Sequence, residues 1–128
     1  MPKKSMETLT ESMFYVLMAL RTAPMCGTDA AEFIEKRTNG RVQMGPATLY
    51  TILAKFEKEG YIRETEVEGR KRTYAVTPKG EQAYAGEVVR LYRCVMDAEA
   101  VETVSRKAAA EQEHKTHAAG NEPVPEGV

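Results

Sequence analysis

The hydrophobic pattern changes period at Gly60. Upstream, apolar residues recur in steps of three and four, the repeat of helices that bury one face. Downstream, Tyr61 to Val67 and Arg72 to Thr77 are rich in β-forming residues, and Glu68-Gly69-Arg70-Lys71 lies between them. Two such runs around a short glycine-containing turn predict an antiparallel hairpin. Ile62, Val67, Tyr74 and Val76 are its expected inward residues, and their uneven spacing predicts a bulge in the first strand. A helical region that gives way to one hairpin excludes a pure bundle and a parallel α/β sheet.

Three helices are expected ahead of the hairpin. The first runs from about Ser5 to Arg21, with Met6, Leu9, Met13, Val16, Leu17 and Leu20 on one face and Phe14 and Met18 widening it. Thr22 to Gly27 ends it, because Pro24 cannot continue the ladder. The second is capped by Thr28 or Asp29, repeats through Ala30, Phe33, Ile34 and Arg37, and stops at Asn39-Gly40. The third opens at Gly45-Pro46, where a first-position proline loses no needed donor. It buries Leu49, Ile52, Leu53 and Phe56 and closes at Gly60.

Thr77-Pro78-Lys79-Gly80 starts a last helix, expected to reach about Glu113 and to span roughly 50 Å at 1.5 Å per residue. Tyr84, Val88, Leu91, Val95 and Ala98 step alternately by four and three, a heptad seam flanked by Val89, Tyr92 and Met96. Val101 and Val104 continue the apolar character in a shifted phase. A small three-helix core does not cover a helix of this length, so its far half predicts a second copy of the chain. The expected organisation is a DNA-binding domain over 1–79, a dimerisation helix over 80–113 and a disordered tail over 114–128.

Helix, helix, helix, hairpin and long helix is the order of a winged helix-turn-helix, a mostly α (α+β) fold. In that fold the third helix enters the major groove and the hairpin is the wing. The third helix presents Ala47, Thr48, Tyr50, Thr51, Lys55 and Lys58 away from its buried stripe, and the wing tip reads Arg70-Lys71-Arg72. Thr48, Tyr50, Thr51, Lys55, Arg70, Lys71 and Arg72 are therefore the candidate DNA contacts. Thr48, Thr51 and Lys55 are expected near base edges, and Tyr50 and the wing cations at phosphates. Met6, Leu9, Met13, Tyr84, Val88, Leu91, Tyr92, Val95 and Met96 are the candidate dimer interface.

Charge agrees with this division. The chain carries a net charge of −1 over 128 residues, but residues 1–80 carry +3 and residues 81–128 carry −4. A basic front half suits a nucleic-acid partner. No apolar run approaches the roughly 18 residues of a membrane span, and nothing after Met-Pro-Lys-Lys reads as a secretion signal. With two widely separated cysteines, this predicts a reduced, cytoplasmic chain with no membrane partner. Cys26, Cys94, His114 and His117 are the only soft metal ligands, and their spacing fits no structural zinc pattern. No catalytic constellation or phosphate-binding glycine loop is present, so neither an enzyme nor a metal or cofactor is expected. The alternative is a winged-helix module for protein interaction, without DNA affinity.

Residues Gly45-Pro46-Ala47-Thr48-Leu49-Tyr50-Thr51-Ile52-Leu53 and Phe56-Glu57-Lys58-Glu59-Gly60-Tyr61-Ile62 resemble the recognition helix and wing start of the PadR family of bacterial transcriptional regulators. Gly69-Arg70-Lys71-Arg72-Thr73-Tyr74 and Val76-Thr77-Pro78-Lys79-Gly80 resemble its wing and return into the last helix. The match runs without a gap over residues 5–80. It implies a homodimer built by the last and first helices, a palindromic operator and, commonly, repression. Some members respond to small aromatic or drug-like molecules, so the resemblance also implies a small-molecule effector as a partner. Drug-binding members that stack their ligand on a tryptophan of the last helix differ from this chain, which has no Trp.

Overall fold

The computed structural model describes residues 8–116. Met6 and residues 117–128 lie outside the described residues; residues 114–116, expected in the tail, continue the last helix past the expected end at Glu113. Seven elements follow one another: α1 (Glu11–Thr22), β1 (Met25–Cys26), α2 (Gly27–Arg37), α3 (Pro46–Glu59), β2 (Ile62–Glu68), β3 (Lys71–Val76) and α4 (Pro78–Thr116). The strands form one antiparallel sheet in the order β1-β3-β2. The arrangement is mostly helical with a small sheet, as the change of period predicts.

α1 starts later than the periodicity suggests. The Thr10 hydroxyl accepts from the Met13 amide at 3.1 Å and caps the helix, so Leu9 precedes it and is buried from an extended segment. α2 also departs from expectation. Cys26 is its N-cap, with no side-chain hydrogen bond, and neither Thr28 nor Asp29 plays that part. Arg37 is exposed and Thr38 is buried in its stead, donating to the Ile34 carbonyl at 2.9 Å and accepting from the Val42 amide at 3.0 Å. That hydroxyl staples the turn into α3, where Asn39 and Gly40 both take positive φ.

α3 matches its expected stripe: Leu49, Ile52, Leu53 and Phe56 are buried. It ends in a left-handed Gly60, with Gly60 N–H bonding Glu57 O and Tyr61 N–H bonding Phe56 O, the pairing of a Schellman stop. The hairpin turns on Gly69 and Arg70, and its register slips between Glu64 and Glu66, placing the bulge at Thr65. The slip keeps Val67 on the face of Ile62 and Tyr74, since it pairs with Arg72, yet it is exposed, against the expectation that it is buried there, because it lies next to the turn and outside the core. Ile62 and Tyr74 are buried and Val76 is half-buried.

Residues up to Arg90 form one compact unit, and residues 91 onward a second. The first unit's core joins α1, α2 and α3 through Val16, Leu17, Leu20, Ile34, Leu53 and Phe56, all nearly inaccessible to solvent. One hydroxyl locks the end of α3 to the start of α4. Thr77 Oγ1 donates to the Gly60 carbonyl at 2.6 Å and accepts from the Gly80 amide at 3.1 Å. Lys79 adds a 2.8 Å bond to the Glu59 carbonyl. Tyr84 is engaged within its own chain: its ring stacks on Phe14 at 5.2 Å, and the Arg21 guanidinium lies 4.8 Å from its centroid. Glu87 is buried in that unit and receives both carboxylate-oxygen bonds from Arg90 Nε at 3.2 Å; the heptad reading gave no sign of it. In the second unit, Tyr92, Val95, Met96, Val101 and Val104 are exposed. Among the described residues no helix is long and apolar enough to cross a membrane.

Candidate nucleic-acid interface

The outer face of α3 is built by subtraction. Four apolar side chains hold the helix to the core, which leaves Ala47, Thr48, Tyr50, Thr51, Lys55 and Lys58 exposed. The small residues lie in the first turns, where backbone bulk is least hidden. Gly27 permits the close crossing of α2 over α3. A Cβ there would stand 3.3 Å from Leu49 Cδ2, Leu53 Cδ1 and Tyr50 Cε1.

β3 carries the wing cations toward the same side. Arg70, Lys71 and Arg72 line a hollow of about 570 Å3 with Tyr50, Tyr74, Cys26, Gly27 and Thr28. Thus one wall comes from α3, another from the wing and a third from the first residues of α2. The α2 terminus has no side-chain cap, so its leading amides and positive dipole end remain available to an anion. Arg72 Nη1 lies 3.4 Å from Glu64 Oε1 across the hairpin, which orients the guanidinium without burying it. Tyr50 is 52% exposed, whereas Tyr74 is 5% exposed. Burial pushes the Tyr74 hydroxyl above its ordinary pKa, helped by the nearby Glu57 carboxylate, and the phenol stays protonated at neutral pH.

A second concavity, about 430 Å3, lies on another side of α3 and is lined by Thr48, Thr51, Ile52 and Lys55 together with Thr10, Ser12 and Met13 of the α1 start. The candidate contacts therefore fall into two groups. Tyr50 joins the wing cations at the first hollow, and Thr48, Thr51 and Lys55 share the second. Sequence reasoning missed Cys26, Thr28, Tyr74, Thr10 and Ser12 at these places. The two-residue strand β1, which pairs Met25 with Tyr74 and Cys26 with Thr73, has no periodicity to betray it. Among the described residues no group of three His, Cys, Asp or Glu side chains is placed to hold a metal.

A helix-turn-helix supported on a three-stranded sheet, with a cationic wing beside a polar third helix, is a DNA-binding winged helix. The PadR-like family of transcriptional regulators matches over residues 16–86, more than half of the chain, and the protein belongs to that family. A transcriptional regulator from Clostridium thermocellum is 28% identical, with a TM-score of 0.58 over 67% of this chain and 89% of that one. RosR from H. salinarum (21% identity, TM-score 0.59, 80% of this chain, 96% of that chain) has the same fold. So does the PcaV transcriptional regulator from Streptomyces coelicolor (17%, 0.55, 80% and 79%). A curated relative, an uncharacterized 37.1 kDa protein in transposon TN4556 of Streptomyces fradiae, is 31% identical over 83 residues. The match takes in 65% of this chain but only 24% of that relative's length. The family is one of DNA-binding transcription regulators, and the likeness to RosR and PcaV shows the fold.

Proposed function

We propose that the protein is a repressor that occupies a palindromic operator as a homodimer. The observation that carries this reading is the convergence of Arg70, Lys71, Arg72 and Tyr50 on one hollow beside the exposed polar face of α3. Thr48, Thr51 and Lys55 face base edges in the major groove, and the wing cations and Tyr50 bind phosphates. Two recognition helices related by a two-fold axis then enter successive major grooves about 34 Å apart.

The partner is a second copy. Val88 and Val89 are exposed at the end of the first unit, and Tyr92, Val95 and Met96 are 52–65% exposed in the second. An apolar run of this kind on a charged helix supports burial against its own symmetry mate, with Leu91 in the seam. Leu9 and Met13 are buried in the monomer's own core and Tyr84 stacks on Phe14, so these three expected interface residues serve the single chain instead. A small-molecule effector releases the operator by favouring a dimer whose recognition helices are off groove spacing, within the limit of its differential affinity for the two states.

Selection of bound sequences from a random duplex pool tests the reading. A palindrome with half-sites one helical turn apart is expected, and recovery of no enriched motif refutes it. Lys71→Ala should lower the slope of log K against log salt by about one, since each neutralised phosphate contributes about 0.9. A protein-interaction module predicts no salt-dependent duplex affinity at all.

A further inference from the structure

The hollow between α2 and the wing contains a feature that charge alone leaves unused. Tyr74 is 5% exposed and its ring belongs to the core, yet the residue also lines the hollow. Its hydroxyl makes no hydrogen bond among the described residues, while no fully buried side-chain polar atom there lacks a partner. The hydroxyl is therefore reached by solvent, and the residue that carries it lines the hollow. An unbonded phenol beside a space of about 570 Å3 is a donor available to an acceptor. Thr28, on the α2 wall, has its hydroxyl 3.4 Å from Cys26 Sγ and belongs to the uncapped first turn of α2. Arg70, Lys71 and Arg72 supply positive charge across the opening. Neutral hydroxyl donors and cations lining one opening suit a tetrahedral oxyanion with several acceptor oxygens.

We propose that this hollow is a phosphate seat, in which the Tyr74 and Thr28 hydroxyls donate to a phosphate group whose charge is met by Arg70 and Arg72. The phosphate comes either from the duplex backbone or from a free phosphate ester. The first source rests on the DNA-binding reading above; the seat itself does not.

Tyr74→Phe deletes one oxygen and keeps the ring in the core, and Thr28→Val serves as a second, shape-conserving variant. Inorganic phosphate is titrated into the dimer against chloride at constant ionic strength, with the amide resonances of residues 26–28 and 70–74 followed by NMR. A saturable response, lost or weakened in either variant, is expected. In parallel, duplex affinity should fall about ten-fold in Tyr74→Phe, as for loss of a hydrogen bond to a charged group. Its salt slope should stay unchanged, because the phenol is neutral, and its thermal midpoint should stay near that of the parent. A merely structural role would lower the midpoint instead. The duplex loss identifies the backbone as the source. A phosphate response with unaltered duplex affinity supports the seat and assigns it to a free ester. If the wild type responds to phosphate but binds no duplex, the DNA reading falls and the seat stands. If it binds duplex, shows no phosphate response and is indifferent to both substitutions, the seat is overturned and the DNA reading is untouched.

Discussion

Replacing Gly80 by Ala should destabilise the first unit, although it places a better helix former in a helix. A Cβ on Gly80 would lie 2.2 Å from the Tyr61 carbonyl oxygen and 2.8 Å from Val76 Cγ1. The first distance is about 1 Å inside an ordinary carbon–oxygen contact of roughly 3.3 Å. Val76 has a methyl to rotate, but the carbonyl is fixed because it accepts the Thr77 amide at 2.9 Å. Relief requires α4 to lift, which strains that bond and the Thr77 hydroxyl cap beside it. Overpacking of this sort costs about 1–3 kcal/mol, and a weakened hydrogen bond adds about 1 kcal/mol. The opposing gain in helix propensity is at most about 1 kcal/mol. The net is a loss of about 1–3 kcal/mol, or roughly 5–20 °C in Tm for a domain of this size. Gly86→Ala is the internal control: no atom stands within 4 Å of its Cβ position, so the same change on the same helix should raise Tm. Thermal unfolding followed by circular dichroism at matched protein concentration reads both. Equal or higher stability of Gly80→Ala would refute the close-approach argument.

Two further outcomes follow from features already described. Burial raises the pKa of Tyr61 and Tyr74 above the ordinary value of about 10. Each therefore contributes stability that is complete below about pH 10 and is lost as pH rises through the folded pKa, because the unfolded chain gives up the proton first. Denaturant titrations from pH 8 to 12 should show this decline, and it should be shallower in Tyr61→Phe; an unchanged profile would contradict it. Val95→Asp places a charge in the proposed seam and should convert the dimer to monomer by light scattering, with duplex affinity falling as the second half-site is lost. A dimer that survives the substitution would place the interface elsewhere.

Much of the fold is legible in the residues because local chemistry and burial agree. Leu49, Ile52, Leu53 and Phe56 give both the period and the buried face of α3, and Gly60 gives its stop. The wing was readable from Gly69 and its flanking β-formers. The misses have physical causes. Apolar spacing continues through Leu9 and predicts an earlier start for α1, whereas the Thr10 cap decides where the helix begins. Val67 takes the side that its spacing across a bulge predicts, but alternation does not encode how far the wing reaches beyond the core, and Val67 lies past it. β1 is too short to carry a pattern and exists only because β3 offers it partners. Of the candidate site, the charged and hydroxyl residues of α3 and the wing were visible as types at expected places. Thr28, Cys26 and Tyr74 were not, since only the folding of α2 against the sheet brings them beside Tyr50.

The strand order also governs which associations the molecule tolerates. β3 has neighbours on both sides at Thr73 and Tyr74, while β2 is a border strand whose outer backbone groups face away from the sheet. That border is broken by the bulge at Thr65 and carries Glu64, Glu66 and Glu68. Kinked and repeatedly negative, it is a poor template for a foreign strand. β1, the opposite border, is two residues long and offers little to pair with. The sheet therefore resists runaway edge-to-edge aggregation.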